Sequence, residues 1–519
     1  MRPDSLIAAQ YLHTHIGMMN GSPINSKLLA KNTLLNVIGQ LIPLAVGVGT
    51  IPYVVRGLGN SGFGVLSIAW ICLGYFSLFD FGLSRATTKY LSERLRDHDA
   101  EGARRIVWTS IIMQVPMGLL GGAVLALLVP VLVTTILKMP PHLMGVARDS
   151  LFVLSAALPV VILNNGFRSI LEAAQRFDLI NYVRIPGGVG TFALPAIGVW
   201  CRLSLPMIIL LLVLSRFGSL AAHVLIALHI LPALKKGLQF ETSEFRLLLT
   251  FGGWTTITNV AGPILLYMDR FMLGSLLSVA ALGYYTVPFE LVGRLGFLPQ
   301  SLVTAIFPVF STIAETRKDI MELLSARALK YLLLTLGPLF LIIIVFAEKI
   351  LTLWMGSGFA LHLTVTLQIL GIGSLVGSLA AIPGCLMSGQ TRPDVVAKLY
   401  LIEIPFNAML LLVLIRHAGI SGAAISFALR AVFEAVALLI LSAGVLKLSI
   451  KNLVGERIQW CFMALAMLGA MLVASRYICG SITGDAALAA LALCGFSGIV
   501  WRYVLNSNER ASLLDLIID

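Results

Sequence analysis

The sequence predicts an all-α integral membrane protein of about fourteen transmembrane helices: two six-helix bundles related by a parallel internal repeat, plus two C-terminal helices. Three observations carry that prediction. Only 12% of the 519 residues are charged and 58% are hydrophobic, whereas a soluble domain holds about 25% charged residues. The apolar stretches are continuous and reach the ~20 residues a helix needs to cross hydrocarbon, while barrel strands would alternate over about ten. Three short patches also recur at a near-constant offset in the two halves of the chain.

Residues 1–33 lack the continuous apolar core of a secretory signal and are expected as a cytoplasmic tail. Spans follow at 34–55, which carries Pro43 and Pro52, and at 62–83. The apolar run ends within FDFGLSRATTKYLSERL (79–95), so Asp80 is expected as a helix-end residue pairing with Arg85 or Lys89 near an inner gate. Tyr90, Leu91 and Leu95, set among Arg85, Lys89, Arg94 and Arg96, describe a basic amphipathic helix lying on the cytoplasmic leaflet. Spans at 106–134, 150–171, 185–204 and 206–231 complete a first bundle, 34–232. A basic linker, 233–247, leads into a second bundle, 248–446, with spans at 248–268, 281–306, 329–347, 364–387, 398–416 and 420–446. Residues 447–519 add spans at 457–478 and 484–505 and a short cytoplasmic tail.

The formal charge of +12 follows the same topology. With the N-terminus inside, 25 of the 37 lysines and arginines fall in inner segments and 8 in outer ones. That bias orients a membrane protein with both termini in the cytoplasm. The basic residues are spread through short loops without aromatic interleaving, so membrane lipids rather than nucleic acid are the expected anionic surroundings. The six cysteines lie in or beside apolar segments without a metal-ligand spacing and read as packing residues. Nucleophile-elbow, zinc-protease and phosphate-loop motifs are missing from the sequence, so neither an enzyme nor a bound cofactor is expected, and energy must come from a gradient, the substrate or a partner.

The repeat is carried by Asn36-Val-Ile-Gly and Asn259-Val-Ala-Gly, by Gln175 and Gln390 after spans 4 and 10, and by Arg216 and Arg430 in spans 6 and 12. The separations are 223, 215 and 214 residues. Two six-helix halves of the same direction give such an offset, as in transporters built from parallel repeats.

Four arginines remain inside spans after the loops are counted: Arg168, Arg216, Arg294 and Arg430. A charge at mid-bilayer costs at least ~2.5–3.5 kcal/mol, so such a residue faces a partner or a cavity. Acidic residues within or at the ends of spans are Asp80, Asp269, Glu290, Glu403 and Glu434. Glu290 with Arg294, and Arg430 with Glu434, are four residues apart and stack on one helix face. Two readings stay open. The pairs serve insertion locally, or they line a polar cavity in which arginines grip an anion such as a pyrophosphate and carboxylates exchange protons or bind sodium. Asp269-Arg270 is expected at the outer end of span 7, in a capping or portal role.

GLGNSGFGVLSIAWICLGYFSLFDFGLSRATTKYLSE (57–93), LEAAQRFDLINYVR (171–184), YMDRFMLGSLLSVAALGYYTVPFEL (267–291) and LWMGSGFA (353–360) resemble the polysaccharide transporters of the multidrug/oligosaccharidyl-lipid/polysaccharide superfamily. Within it the resemblance is to the Wzx-like O-antigen and exopolysaccharide flippases, over about residues 31–446. It implies a V-shaped pair of bundles around a cationic cavity. It further implies movement of an undecaprenyl-diphosphate-linked oligosaccharide from the cytoplasmic to the periplasmic leaflet of a bacterial inner membrane. A polysaccharide polymerase and a chain-length regulator are the implied protein partners. In the lipid-linked peptidoglycan precursor flippases of the superfamily the last two helices form a groove for the lipid tail. Two other classes stay open: a cation-coupled drug or metabolite antiporter of the same superfamily, and a membrane scaffold of a polysaccharide assembly complex.

Overall fold

A computed structural model describes residues 26–75, 80, 82–137, 139–250, 253–313, 317–390, 392–455, 457–478, 482–506 and 509–510. Of the tail expected at 1–33, residues 1–25 lie outside this set and residues 26–33 are the first turns of a helix; residues 511–519 and the side chains of Asn36 and Asn259 from the first repeat match also lie outside it. Every regular element among the described residues is helical. In order these are α1 (Ser26–Tyr75), α2 (Leu83–Arg96), α3 (Ala100–Val131), α4 (Pro141–Ala173), α5 (Phe177–Trp200), α6 (Leu205–Ile230), α7 (Thr242–Thr250), α8 (Gly253–Leu276) and α9 (Val279–Gly293). They continue as α10 (Phe297–Thr312), α11 (Lys318–Val345), α12 (Ala347–Met355), α13 (Ser357–Gly389), α14 (Pro393–Leu446), α15 (Ile450–Val454), α16 (Ile458–Ile478) and α17 (Ile482–Ile499). Among the described residues, nine helical segments are long and apolar enough to cross a membrane.

Two of those segments are hairpins. Gly47 and Trp70, on either side of Gly59 in α1, both meet Phe192: a Cβ on Gly47 would touch its ring at 3.3 Å, and the Trp70 ring lies 5.4 Å from it. On a straight helix those residues would be ~35 Å apart, so the chain folds back at Gly59, whose φ of +68° suits glycine. In α14 the reversal is at Gly419, with φ +57°. Ser426 there donates to Asn407 Oδ1 at 3.2 Å, and the Phe406 and Phe433 rings stand 5.6 Å apart. Counting each arm, and taking α9 and α10 as one span bent at Arg294–Gly296, the described helices make fourteen crossings, six and six and a final pair.

The chain folds as two compact units, residues 1–267 with 278–283, and residues 268–277 with 284–519. In the first, α4 packs along α3 and α6, and α1 along α5. A buried cluster around Leu91, Ile106, Ile170 and Leu171 gathers the ends nearest the basic loops. The helix α2 differs from expectation. Its face of Leu83, Ala86, Thr87 and Leu91 is buried in protein rather than laid on lipid. Thr87 explains this: its hydroxyl needs a polar partner and finds Ser110 on α3 at 2.6 Å. Asp80 likewise pairs with neither Arg85 nor Lys89 among the described residues. It accepts from the backbone N–H of Gly82 at 2.8 Å, the nearest donor to a short side chain just before a helix, and so forms the turn into α2.

The segment between the bundles is fastened to the first unit. Trp108 Nε1 donates to Leu234 O at 3.2 Å, Arg104 Nε to Gly237 O at 3.1 Å and the Glu241 N–H to Thr109 Oγ1 at 3.1 Å. Lys236 pairs with Glu101 at 2.6 Å, and Arg94 with Glu244 of α7 at 3.3 Å.

In the second unit the main buried cluster runs from Leu273 and Tyr285 through Leu332, Leu336, Leu367 and Leu370 to Leu411 and Ala423. The final pair, α16 and α17, docks on α11 through Leu333, Leu465, Leu468, Leu472 and Phe496. Ion pairs fasten it near the middle of α11 and just beyond its C-terminal end: the buried Lys330 donates to both Glu509 oxygens at 2.5 and 2.7 Å, and Lys349 and Glu348 bind Asp485 and Arg476. Phe462, Met463, Met467 and Met471 face outward from α16.

Candidate functional site

In the first unit Arg216 lies near the middle of α6, ~17 Å from its start at 1.5 Å per residue. It points to α5 where the sequence reads Ile185-Pro-Gly-Gly-Val-Gly-Thr191. Proline removes one backbone donor from that helix, and glycines remove side chains, so helices approach closely: a Cβ on Gly188 would come within 2.7 Å of Pro43 of α1. Beside this stretch Arg216 Nη2 donates to Thr191 Oγ1 at 3.2 Å. No carboxylate stands within ion-pair distance of Arg216 among the described residues. Arg168, on α4, pairs with Glu172 at 2.8 Å, with its side chain 46% exposed. Arg184, expected in a loop, lies inside α5 and close enough to Arg168 for the two guanidiniums to repel each other. The buried His223 is bonded through Nδ1 to Asn164 Oδ1 at 2.9 Å.

The second unit is built differently. Asp269 and Arg270, expected at an outer helix end, are both buried, because α8 continues to Leu276 and turns them inward. Asp269 accepts a short hydrogen bond from the Tyr285 hydroxyl of α9. Arg270 lies over the Phe289 ring at 3.9 Å and 3.9 Å from Glu290, a cation held by an aromatic face and a carboxylate together. Glu290 also receives Arg294 at 2.7 Å, where α9 gives way to the short turn before α10.

The Phe289 ring meets Phe427 of α14 edge-on at 5.7 Å, and the Arg430 guanidinium stands 5.7 Å from the Phe427 ring. Arg430 donates to Glu434 at 2.7 Å, and the buried Tyr400 lies beside the same carboxylate. Glu403, on the facing arm, is wholly inaccessible and 3.8 Å from Arg430. The structure thus brings Asp269, Glu290, Arg294, Glu403, Arg430 and Glu434 into one chain of contacts within the second unit. Arg168, Arg216 and Asp80 belong to the first unit. Tyr285, Phe289, Tyr400 and Thr191 belong to these arrangements without having been singled out as site residues, and Arg270 belongs to them in place of the capping or portal role expected of it. The sequence signal for Arg270 and Tyr285 is the Tyr267-Met-Asp-Arg270 and Gly283-Tyr-Tyr285 pair.

The second repeat match diverges in structure. Gln390 is buried and donates to Phe310 O at 2.5 Å and Ile313 O at 3.2 Å, whereas Gln175 is exposed in a left-handed turn at φ +55°.

Fourteen helical crossings with charged side chains held inside the spans define a multi-pass membrane protein of transporter architecture. The chain belongs to the polysaccharide biosynthesis protein family, whose profile matches residues 29–314, more than half its length. It is 26% identical over 411 residues to a putative O-antigen transporter of Shigella flexneri, covering 79% of this chain and 96% of that one. It is 22% identical over 411 residues to a probable low-salt glycan biosynthesis flippase, Agl15, of Haloferax volcanii, covering 77% and 80%. Among solved structures its fold is similar to the lipid II flippase MurJ in an inward closed conformation, with TM-score 0.69 at 14% identity over 91% of this chain and 100% of that one. It is also similar to an outward-facing multidrug resistance MATE family transporter of the MOP superfamily, with TM-score 0.59 at 15% identity over 81% and 96%.

Proposed function

We propose that this protein is a flippase that carries an undecaprenyl-diphosphate-linked oligosaccharide across a bacterial inner membrane, for O-antigen, exopolysaccharide or capsule synthesis. A sugar headgroup cannot cross ~30 Å of hydrocarbon unaided, and its diphosphate needs a cation at membrane depth. The observation that carries the reading is Arg216, a guanidinium near mid-helix whose hydrogen-bond partner is the Thr191 hydroxyl. A hydroxyl leaves the positive charge available, and guanidinium binds phosphate through paired, charge-assisted hydrogen bonds. Arg168 and Arg184 assist at the end of the same unit nearer the basic loops. Arg294 and Arg430, already bonded to Glu290 and Glu434, hold the second unit together rather than the substrate.

In this reading both termini are cytoplasmic, the glycan is handed onward to a polymerase and chain-length regulator, and movement proceeds by alternating access without a catalytic step. The relatives' names and the basic-loop bias support it. The test is complementation of a strain lacking this transporter, scoring lipid-linked oligosaccharide left on the cytoplasmic leaflet. Arg216→Ala should insert normally and leave the intermediate accumulated. Full export by that variant would remove the anion-binding role from Arg216.

A further inference from the structure

The connected charges of the second unit do not balance. Three guanidiniums, Arg270, Arg294 and Arg430, face four carboxyl groups, Asp269, Glu290, Glu403 and Glu434. Each carboxyl but one is hydrogen-bonded: Asp269 by Tyr285, Glu290 by Arg294, Glu434 by Arg430. Glu403 is the exception. It has no accessible surface, and neither of its oxygens has a hydrogen-bond partner among the described residues. Arg430 is the nearest cation, at 3.8 Å, and its short bond is to Glu434 on its own arm.

An ionised carboxylate so placed would carry a desolvation penalty of several kcal/mol without the hydrogen bonds that offset it. The other ionisable groups around it are fixed. Tyr400 lies one turn before Glu403 on the same arm, beside Glu434. The α8 and α9 helices bring Asp269, Arg270, Tyr285 and Glu290, bonded among themselves. The packed α13 helix carries no carboxylate, lysine or arginine. A metal cation would have to share Glu403 with a guanidinium 3.8 Å away.

We propose that Glu403 is a proton-binding site: its carboxyl is the neutral acid while Arg430 is bound to Glu434, and release of that proton to water draws Arg430 across the α14 hairpin onto Glu403. The proton leaves the Oε–H bond, the electron pair stays on the carboxylate, and the network passes from neutral to one net negative charge. The hairpin arms are the moving parts, because Arg430 and Glu403 stand on opposite sides of Gly419. In a transporter of the kind proposed above, the switch ties the conformation of this hairpin to pH, and that last step alone rests on the glycan reading.

The test is made on the purified full chain in lipid nanodiscs without substrate, by infrared difference spectroscopy between neutral and alkaline pH. The wild type should show the carbonyl stretch of a protonated carboxylic acid at neutral pH, lost on alkalinisation and insensitive to added sodium chloride. Glu403→Gln should lose that band while melting where the wild type melts, since the amide copies the shape of the neutral acid. Glu434→Gln should also lose it, because three guanidiniums then face three carboxyl groups and Glu403 ionises to take Arg430. A band retained in Glu403→Gln or in Glu434→Gln, a band removed by sodium, or a sharp loss of melting temperature in Glu403→Gln each overturns the proposal. Export in the complemented strain is scored separately, so failure of the proton site leaves the flippase reading standing, and the reverse holds.

Discussion

Arg216 and Arg430 occupy matching positions 214 residues apart in the two halves, yet their surroundings have diverged. Arg216 leans on a threonine hydroxyl, while Arg430 is bonded to Glu434 and faces Glu403. At the same offset, Glu434 corresponds to Leu220 and Glu403 to Val189. The helical scaffold and the guanidinium were kept in both halves, and the carboxylates occur in only one. A largely buried arginine with a carboxylate four residues away, as Arg430 has in Glu434, has its charge met within its own helix. One without can spend it on a ligand. On the proposed reading, one half of the repeat meets the anion, while the charges of the other answer to each other and to protons.

The largest effect that could break this comparison is on stability. Arg430→Ala leaves the half-buried Glu434 carboxylate without its cation and should destabilise the detergent-solubilised protein by about 3–5 kcal/mol, read as a large fall in melting temperature, with Arg430→Ala/Glu434→Gln recovering part of it. Equal stability of Arg430→Ala and wild type would make the two arginines alike. Arg216→Ala should leave the melting temperature unchanged and weaken binding of the diphosphate by about 1.5–3 kcal/mol, roughly ten- to a hundredfold, measured by titrating a soluble polyprenyl-diphosphate analogue. Gly419→Ala sharpens the role of the hairpin. A Cβ there meets only Leu277 at 4.0 Å, so the cost is that of the backbone alone, φ +57° with ψ −131° being a region almost confined to glycine, about 1–3 kcal/mol in melting stability. The smallest effect belongs to Arg168→Ala, whose exposed pair with Glu172 contributes about 0.3–0.5 kcal/mol. Export that fell in that variant with the melting curve unmoved would place Arg168 on the substrate's path.

Much of the fold was legible because hydrocarbon thickness is a strong ruler. Gaps in the apolar runs at 56–61 and 417–419 mark the two hairpin turns, and the Glu290–Arg294 and Arg430–Glu434 spacings announce their bonds. What sequence reasoning missed depends on contacts distant along the chain. Arg270 looked like an outer-loop residue because the apolar run weakens near 268. Its acceptability inside rests on Phe289 and Glu290, contributed by the next helix. The α2 face resembled a lipid-facing one until Ser110 of α3 claimed Thr87. Asp80 erred in the other direction: backbone two residues away satisfied a carboxylate for which a side-chain cation had been expected.

The pair between Lys330 and Glu509 joins residues 179 positions apart. At 5–20 residues per second, a ribosome takes roughly 10–35 s to reach Glu509 after making Lys330. For that interval the lysine is without its counter-ion, and α11 lacks the apolar cover of α16 and α17. The second unit therefore depends in time on its last-made helices, and a nascent chain stalled between the two residues offers membrane quality control an unmatched charge by which to recognise it.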